Sequence, residues 1–375
     1  MTDKCAIILA YMLLYSHIIQ DNEKDIEVKR QQEMNAYTIV ILLMAVAYTF
    51  YMGFSDGANA VATCVATRAI KPHYAIIIAG VVKFAAPIII CFVLGSDSVA
   101  RTVGALINDE AFSGIAPKEG FIFLLSTMLA ALIWSLISVF TALPNSTSHT
   151  LLGGLVGAGL ASFGFGGIDW TAVGLKVILM VFLTPVICII VGIIMEKFFI
   201  WMCRRMDRGV KKFFKVAQVF NVTLLSTSIS INNVQKSMGV FLLAMVMCGG
   251  ENMSSYTFDF WTIALMSFVI MLGLLLGGYK LIYTVGKKIY RMGTIQSVVA
   301  QLSTASVALT CSFIGIPVST GQVVSSSIIG VGIAERISGV HWNRVKRIFI
   351  NCILTFPIAM AVGAIICLII RAIFL

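Results

Sequence analysis

The chain has 375 residues, 59% of them hydrophobic and 12% charged, a formal net charge of +10 and a mean hydropathy of +0.97. A soluble domain is nearer about half apolar and about a quarter charged, so the composition excludes one and indicates a polytopic α-helical membrane protein. The positive charge calls for no nucleic acid, because most Lys and Arg lie in short loops, where cytoplasmic topology accounts for them. Nine Cys without a CxxC pair and four His without ligand spacing leave an enzyme or a resident metal cofactor unsupported.

In chain order, residues 1–33 form an extension. An apolar run from Cys5 to Ile19, short for a crossing, precedes the charged stretch Asp21 to Arg30. It reads either as an extra membrane-associated helix or as a start placed upstream of Met34. Repeat 1 (34–199) then offers crossings at 36–66, 73–95, 121–142, 144–165 and 172–199. A basic cytoplasmic linker (200–216) follows. Repeat 2 (217–375) offers 217–245, 260–278, 295–315, 317–333 and 348–372.

The division into repeats rests on Pro144-Asn145-Ser146-Thr147-Ser148-His149, which returns as Pro317-Val318-Ser319-Thr320-Gly321-Gln322. Each copy leads into a Gly-x-Gly (Gly157 and Gly159; Gly330 and Gly332), then a Trp and a Pro (Trp170 and Pro185; Trp342 and Pro357). Matched loops have opposite charge. Arg68 to His73 is basic where Glu251 to Asp259 is acidic, and residues 97–120 carry four acids where Lys280 to Arg291 is basic. If basic loops stay inside, the halves are inverted, with a binding site between them. The spans at 144–165 and 317–333, polar and Pro-led, read as broken or re-entrant helices tolerated beside a cavity.

Two more polar segments fall at membrane depth: Gly53 to Thr63, with Ser55, Asp56 and Asn59, and Ser228 to Gly239, with Asn232, Asn233, Gln235 and Lys236. An intramembrane charge costs roughly 2.5–3.5 kcal/mol on insertion scales, so Asp56 and Lys236 require partners. The expectation is two pairs of broken helices meeting near the midplane. Their free N–H groups, with Ser146, Thr147, Ser148, Ser319, Thr320 and the amides of Asn59, Gln235 and Gln322, would cradle an oxyanion. Asp56 would accept phosphate's own proton or ligate a coupling cation. Set against this, membrane Ser and Thr often only bond the preceding turn, His149 reads first as a packing donor, and the Gly runs read as close-packing devices.

At these residues the chain resembles the inorganic phosphate transporter (PiT) family, in a divergent prokaryotic form. Gly53 to Ala60 is similar to that family's first signature, Pro144 to His149 and Pro317 to Gln322 to its paired Ser/Thr motif, and Asn232 to Gly239 to its Asn-Asp-x-Gln-Lys segment. The resemblance implies phosphate transport through the cytoplasmic membrane, driven by Na+ or H+, and commonly a homodimer. Asn59, Ser146, Thr147, Ser148, Asn233, Gln235, Ser319 and Thr320 would then bind substrate. Asp56, Ser55 and Asn232 would serve coupling, with Na+ at Asp56 as one form of it. The departures bear on coupling: Asn233 replaces the usual second Asp, Gln322 replaces a His, and Lys83 enters an apolar run. Lys83 and Lys236 are candidates for charge compensation; Lys83 alternatively snorkels or pairs with Asp97. Altered coupling, a sulfate or thiosulfate permease, and a non-transporting membrane sensor all remain open at this point.

Overall fold

The computed structural model describes residues 2–112, 115–141, 145–205, 210–285 and 292–374. Among these residues twelve α-helices run in order: α1 (Thr2–Ala66), α2 (Pro72–Pro87), α3 (Ser98–Gly104), α4 (Pro117–Phe140), α5 (Thr147–Phe163), α6 (Trp170–Ala172), α7 (Leu179–Cys203), α8 (Val210–Met247), α9 (Phe260–Val285), α10 (Thr294–Ile314), α11 (Thr320–Arg336) and α12 (Trp342–Phe374). Wider π-helical turns extend α2 through Ile88–Val93 and join α6 to α7 through Val173–Ile178. Residues 2–33 continue α1 as one helix. Pro144 and residues 286–291 of the Lys280 to Arg291 segment lie outside the described residues.

Eight helices among the described residues are long and apolar enough to cross a membrane. They coincide with eight of the ten expected crossings. The exceptions are α5 and α11, each 17 residues and rich in Ser, Thr and Gly, which lie almost wholly inside the protein. Large apolar side chains on the periphery are exposed, for example Phe182, Ile190 and Ile194 on α7 and Ile365 and Leu368 on α12, while the interior collects Ser, Asn and Gln. That outside-in polarity suits a lipid surround: no water competes for backbone groups there, and polar side chains are confined to the bundle interior. The protein is a multi-pass membrane protein.

The packing follows a swap. α1 packs on α9 and α8 on α2; α5 packs on α12 and α11 on α7; α4 packs on α1, α5 and α12, and α10 correspondingly on α8, α11 and α7. Glycine makes two of these seams possible. A Cβ at Gly157 would fall 1.9 Å from the Met360 carbonyl oxygen on α12, and one at Gly330 would fall 2.3 Å from the Ile189 carbonyl oxygen on α7. The small-residue reading of both Gly-x-Gly motifs is therefore correct at these positions.

Loop contacts join segments of matching expected side. Arg101 donates to the carbonyls of Met253 and Tyr256, Asn108 to that of Gly166, and Arg371 to those of Ala161 and Ser162. At the other end Gln296 donates to Glu335.

One expectation fails. Residues 53–63 and 228–239 do not break their helices but lie within continuous α1 and α8. Gly53 admits a neighbour: a Cβ there would sit 2.3 Å from the Ile270 carbonyl oxygen of α9. α5 and α11 do begin at buried positions.

Candidate functional site

α5 and α11 start where the chain cannot continue as helix. Ser146 and Ser319 hold the extended N-cap conformation, and α11 follows Gly315, whose φ of +83° ends α10 in the left-handed region. The two starts face each other. Ser148 Oγ donates to the Val318 carbonyl at 2.7 Å, and Lys236 Nζ of α8 reaches both, at 2.5 Å to Ser148 Oγ and 3.1 Å to Val318 O. Two helix N-termini, each with unpaired N–H groups and the positive end of its dipole, thus converge on one region.

Asp56 lies beside them on α1, only 4% exposed. Its Oδ2 accepts from Thr147 Oγ1 at 2.8 Å and from Asn233 Nδ2 at 3.1 Å. One carboxylate oxygen therefore links α1, α5 and α8. An ionised carboxylate only accepts, so it fixes the Asn233 amide with nitrogen inward. Asn233 Oδ1 is left buried with no hydrogen-bond partner. Asn59, one turn along α1, places its Nδ2 3.9 Å from where a Cβ on Gly321 would be, which brings it against the first turn of α11. Ser55 is half-buried on the same helix.

Other predicted residues are engaged elsewhere. Asn232 donates to Ser312 Oγ and to Ile316 O, and accepts from Val318 N, so it shapes the α10–α11 connection. Gln235 points to the α2–α3 connection, donating to Ser96 O and accepting from Val99 N. It caps α3, whose own N-cap Asp97 makes no side-chain cap. His149 Nδ1 lies 3.2 Å from the Cys352 carbonyl, a helix-to-helix contact. Its counterpart Gln322 donates to the Val181 carbonyl at 2.7 Å. That carbonyl is four residues before Pro185, which has no N–H to give it. The His-to-Gln difference between the motifs thus preserves one task, clipping a broken helix to its neighbour.

Lys83 neither snorkels nor pairs with Asp97. It is wholly buried on α2, and Asp97 instead bridges Arg101 at 2.8 Å. Its Nζ has no hydrogen-bond partner. α2 packs on α8 and α9 and keeps Ile77 and Val81 exposed on its outer face, while Lys83 lies on the buried side.

Some participants were not foreseen. Tyr48 donates to the Thr147 carbonyl at 2.6 Å, one helical turn below Met52 on the face of α1 that carries Asp56 further on. Glu196 on α7 is buried with both carboxylate oxygens unpartnered. It lies one turn past Gly192, which faces Gly330, and Gly330 is about 15 Å along α11 from Thr320, so Glu196 stands away from this site.

The family model for the phosphate transporter family matches residues 52–363. The chain belongs to the phosphate transporter family. It is 34% identical over 339 residues to a Bacillus subtilis protein described as "Probable low-affinity inorganic phosphate transporter", covering 90% of this chain and 98% of that one. A Rhizobium meliloti protein of the same description is 32% identical, covering 88% and 96%. Among solved structures, one titled "The sodium-dependent phosphate transporter" superposes with a TM-score of 0.74 at 24% identity, over 89% of this chain and all of the other. That likeness concerns the fold.

Proposed function

We propose that this protein carries inorganic phosphate across the cell membrane by alternating access, coupled to H+ or Na+, from a site between two inverted repeats (34–199 and 217–375). The observation that carries this is the meeting of the α5 and α11 N-termini beside Asp56. Opposed dipoles and hydroxyls suit a tetrahedral oxyanion that must be released again. The swapped packing of matched helices, and loop contacts that respect the expected sides, support the inverted arrangement. The family and the named activity of its relatives support phosphate as the substrate.

In this reading Ser319, Thr320 and Asn59 bind the anion directly. Asp56 organises Thr147 and Asn233 around it, while Lys236 and Ser148 hold the two helix starts together. Asn232 and Gln235 brace the connections that frame the site. Homodimer assembly is part of the proposal and is checked by the mass of the purified protein in detergent.

The test is uptake of labelled phosphate by the reconstituted protein, with Asp56→Ala as control and excess sulfate as competitor. Saturable uptake lost in the variant supports the reading. Equal competition by sulfate assigns a general oxyanion permease, and no uptake by the unaltered protein refutes transport.

A further inference from the structure

Glu196 takes no part in the site described above. It is wholly buried on α7, near the end that leads into the basic linker, and neither carboxylate oxygen has a hydrogen-bond partner. Its place follows from the register of α7 on α11. Gln322 donates to the Val181 carbonyl, and a Cβ on Gly192 would meet the Ser327 carbonyl and the backbone of Gly330 and Val331. The numbers on both helices rise together, so the two run parallel. Val181, Thr184, Pro185, Cys188, Gly192 and Glu196 are the buried residues of α7 and form one stripe, the one that meets α11. Glu196 is one turn past Gly192, and Glu335 is one turn past Val331. The two acids therefore stand at one level, where α11 ends at its C-cap Ile337.

A helix C-terminus is the negative end of its dipole and favours a cation. The matched seam obeys that rule. Gly363 of α12 packs on the Gly154 carbonyl of α5 as Gly192 does on that of Ser327. Four residues on, where α7 has Glu196, α12 has Cys367, a neutral group 3.1 Å from Ser162 Oγ. One turn further Arg371 donates to the Ala161 and Ser162 carbonyls at the end of α5. The α7–α11 seam has acids instead. Its basic neighbours are turned out: Lys197 of α7, Arg336 of α11, and Lys346 and Arg347 of α12 are exposed, and Arg336 donates to Ser338. α10 brings Ser303 against Met195 and Gln296, which donates to the exposed Glu335 at 3.0 Å, but no acid or base over residues 294–303. An ionised Glu196 would thus be buried without a donor, beside a second acid and the wrong end of a helix. A metal ion calls for a cage of oxygens, whereas a proton needs only one.

We propose that Glu196 is a proton-binding site at the linker end of the α7–α11 seam, which keeps its proton while the helices are packed and releases it to water when they part. The site is separate from the anion's, and its existence does not depend on the carrier reading. Release of the proton during transport does rest on that reading, because α11 is the helix whose first turn meets the anion.

The experiment is unfolding of the full chain in detergent, unaltered and as Glu196→Gln, from mildly acid to alkaline pH. The native state would hold one proton that the unfolded chain has lost. Above the ordinary Glu range, at about 4.3, the unfolding constant of the unaltered chain should therefore rise about tenfold per pH unit relative to the variant, until the packed site itself ionises. At acid pH the two should be alike. Glu196→Leu, neutral in a different way, should lack the same slope. Equal pH dependence in all three chains overturns the proposal. So does loss of stability or of folding in both neutral variants at every pH, which would make Glu196 an ionised structural partner. Exchange of labelled phosphate in proteoliposomes reads the release: the ratio of the Glu196→Gln rate to the unaltered rate should change by about tenfold over the same pH range. A constant ratio overturns release on parting of the helices. Absence of exchange by every chain defeats the carrier reading, and the unfolding comparison still decides the proton site.

Discussion

The first turns of α5 and α11 come from the same motif but have become different things. In α5 every hydroxyl is occupied: Ser146 accepts from His149 N, Thr147 donates to Asp56, Ser148 donates to Val318, and Thr150 donates to Asn145. In α11 Ser319 forms no cap, and neither it nor Thr320 bonds through its side chain among the described residues, though both are nearly buried. Gly321 then leaves bare backbone opposite Asn59. In the proposed site the first turn of α5 is framework and that of α11 is receptor. Both motifs carry hydroxyl donors, and Asp56 holds the one on Thr147.

Removing the lock should have the largest effect. Asp56→Ala frees Thr147 and Asn233 together and leaves two buried lysines without an acid, so phosphate uptake should fall by about a hundredfold or more. Initial uptake rates at equal reconstituted protein check this. If Asp56→Ala transports normally, α5 is not held by that carboxylate and the contrast between the helices collapses.

The helix seams come next. Gly157→Ala drives a methyl onto the Met360 carbonyl and should destabilise the protein by about 3 kcal/mol, visible as a lower Tm in detergent. Gly321→Ala has nothing nearer than Asn59 Nδ2 at 3.9 Å and should leave Tm in place while weakening phosphate binding. Equal melting of the two variants would mean that α5 is no more tightly packed than the open end of α11.

Much of this was legible in the chain, for physical reasons that differ by residue. Crossings such as Pro117–Phe140 are uninterrupted apolar runs, and lipid imposes that pattern directly. Asp56 and the paired Ser/Thr motifs stood out because polar groups at that depth are costly. The continuity of α1 and α8 was not legible, since glycine that permits close packing looks the same in sequence as glycine that permits a break. Nor was the task of Gln235, because α3 is seven residues long and its cap arrives from 136 positions away. Lys83 was visible as an oddity, but its lack of a partner required the positions of α8 and α9.

The receptor itself should respond more mildly. Ser319→Ala with Thr320→Val removes two hydroxyl donors from the anion and none from the fold. The expected result is a KM for phosphate raised about tenfold with an unchanged Tm, measured by uptake against concentration. Ser146→Ala removes the cap of α5 and should do the reverse, lowering Tm with KM kept. If both variants shift KM alike, the two first turns share the anion equally.

The smallest effect tests the feature the two helices still have in common. Gln322 satisfies the Val181 carbonyl that Pro185 leaves without a donor, as His149 meets the Cys352 carbonyl near Pro357. Gln322→Leu should therefore cost about 1–2 kcal/mol, the penalty for a buried acceptor left unpaired. Pro185→Ala restores an N–H four residues after Val181, so in that background the same substitution should cost markedly less. The double-mutant cycle, read from thermal or denaturant unfolding, isolates this coupling from any role of Gln322 toward substrate. A cycle with no coupling would mean that Gln322 serves the anion, and that α11 is receptor through its whole first turn. Coupling near the full single-mutant cost would mean that α11 is clipped to α7 as firmly as α5 is to α12, with only its hydroxyls left free.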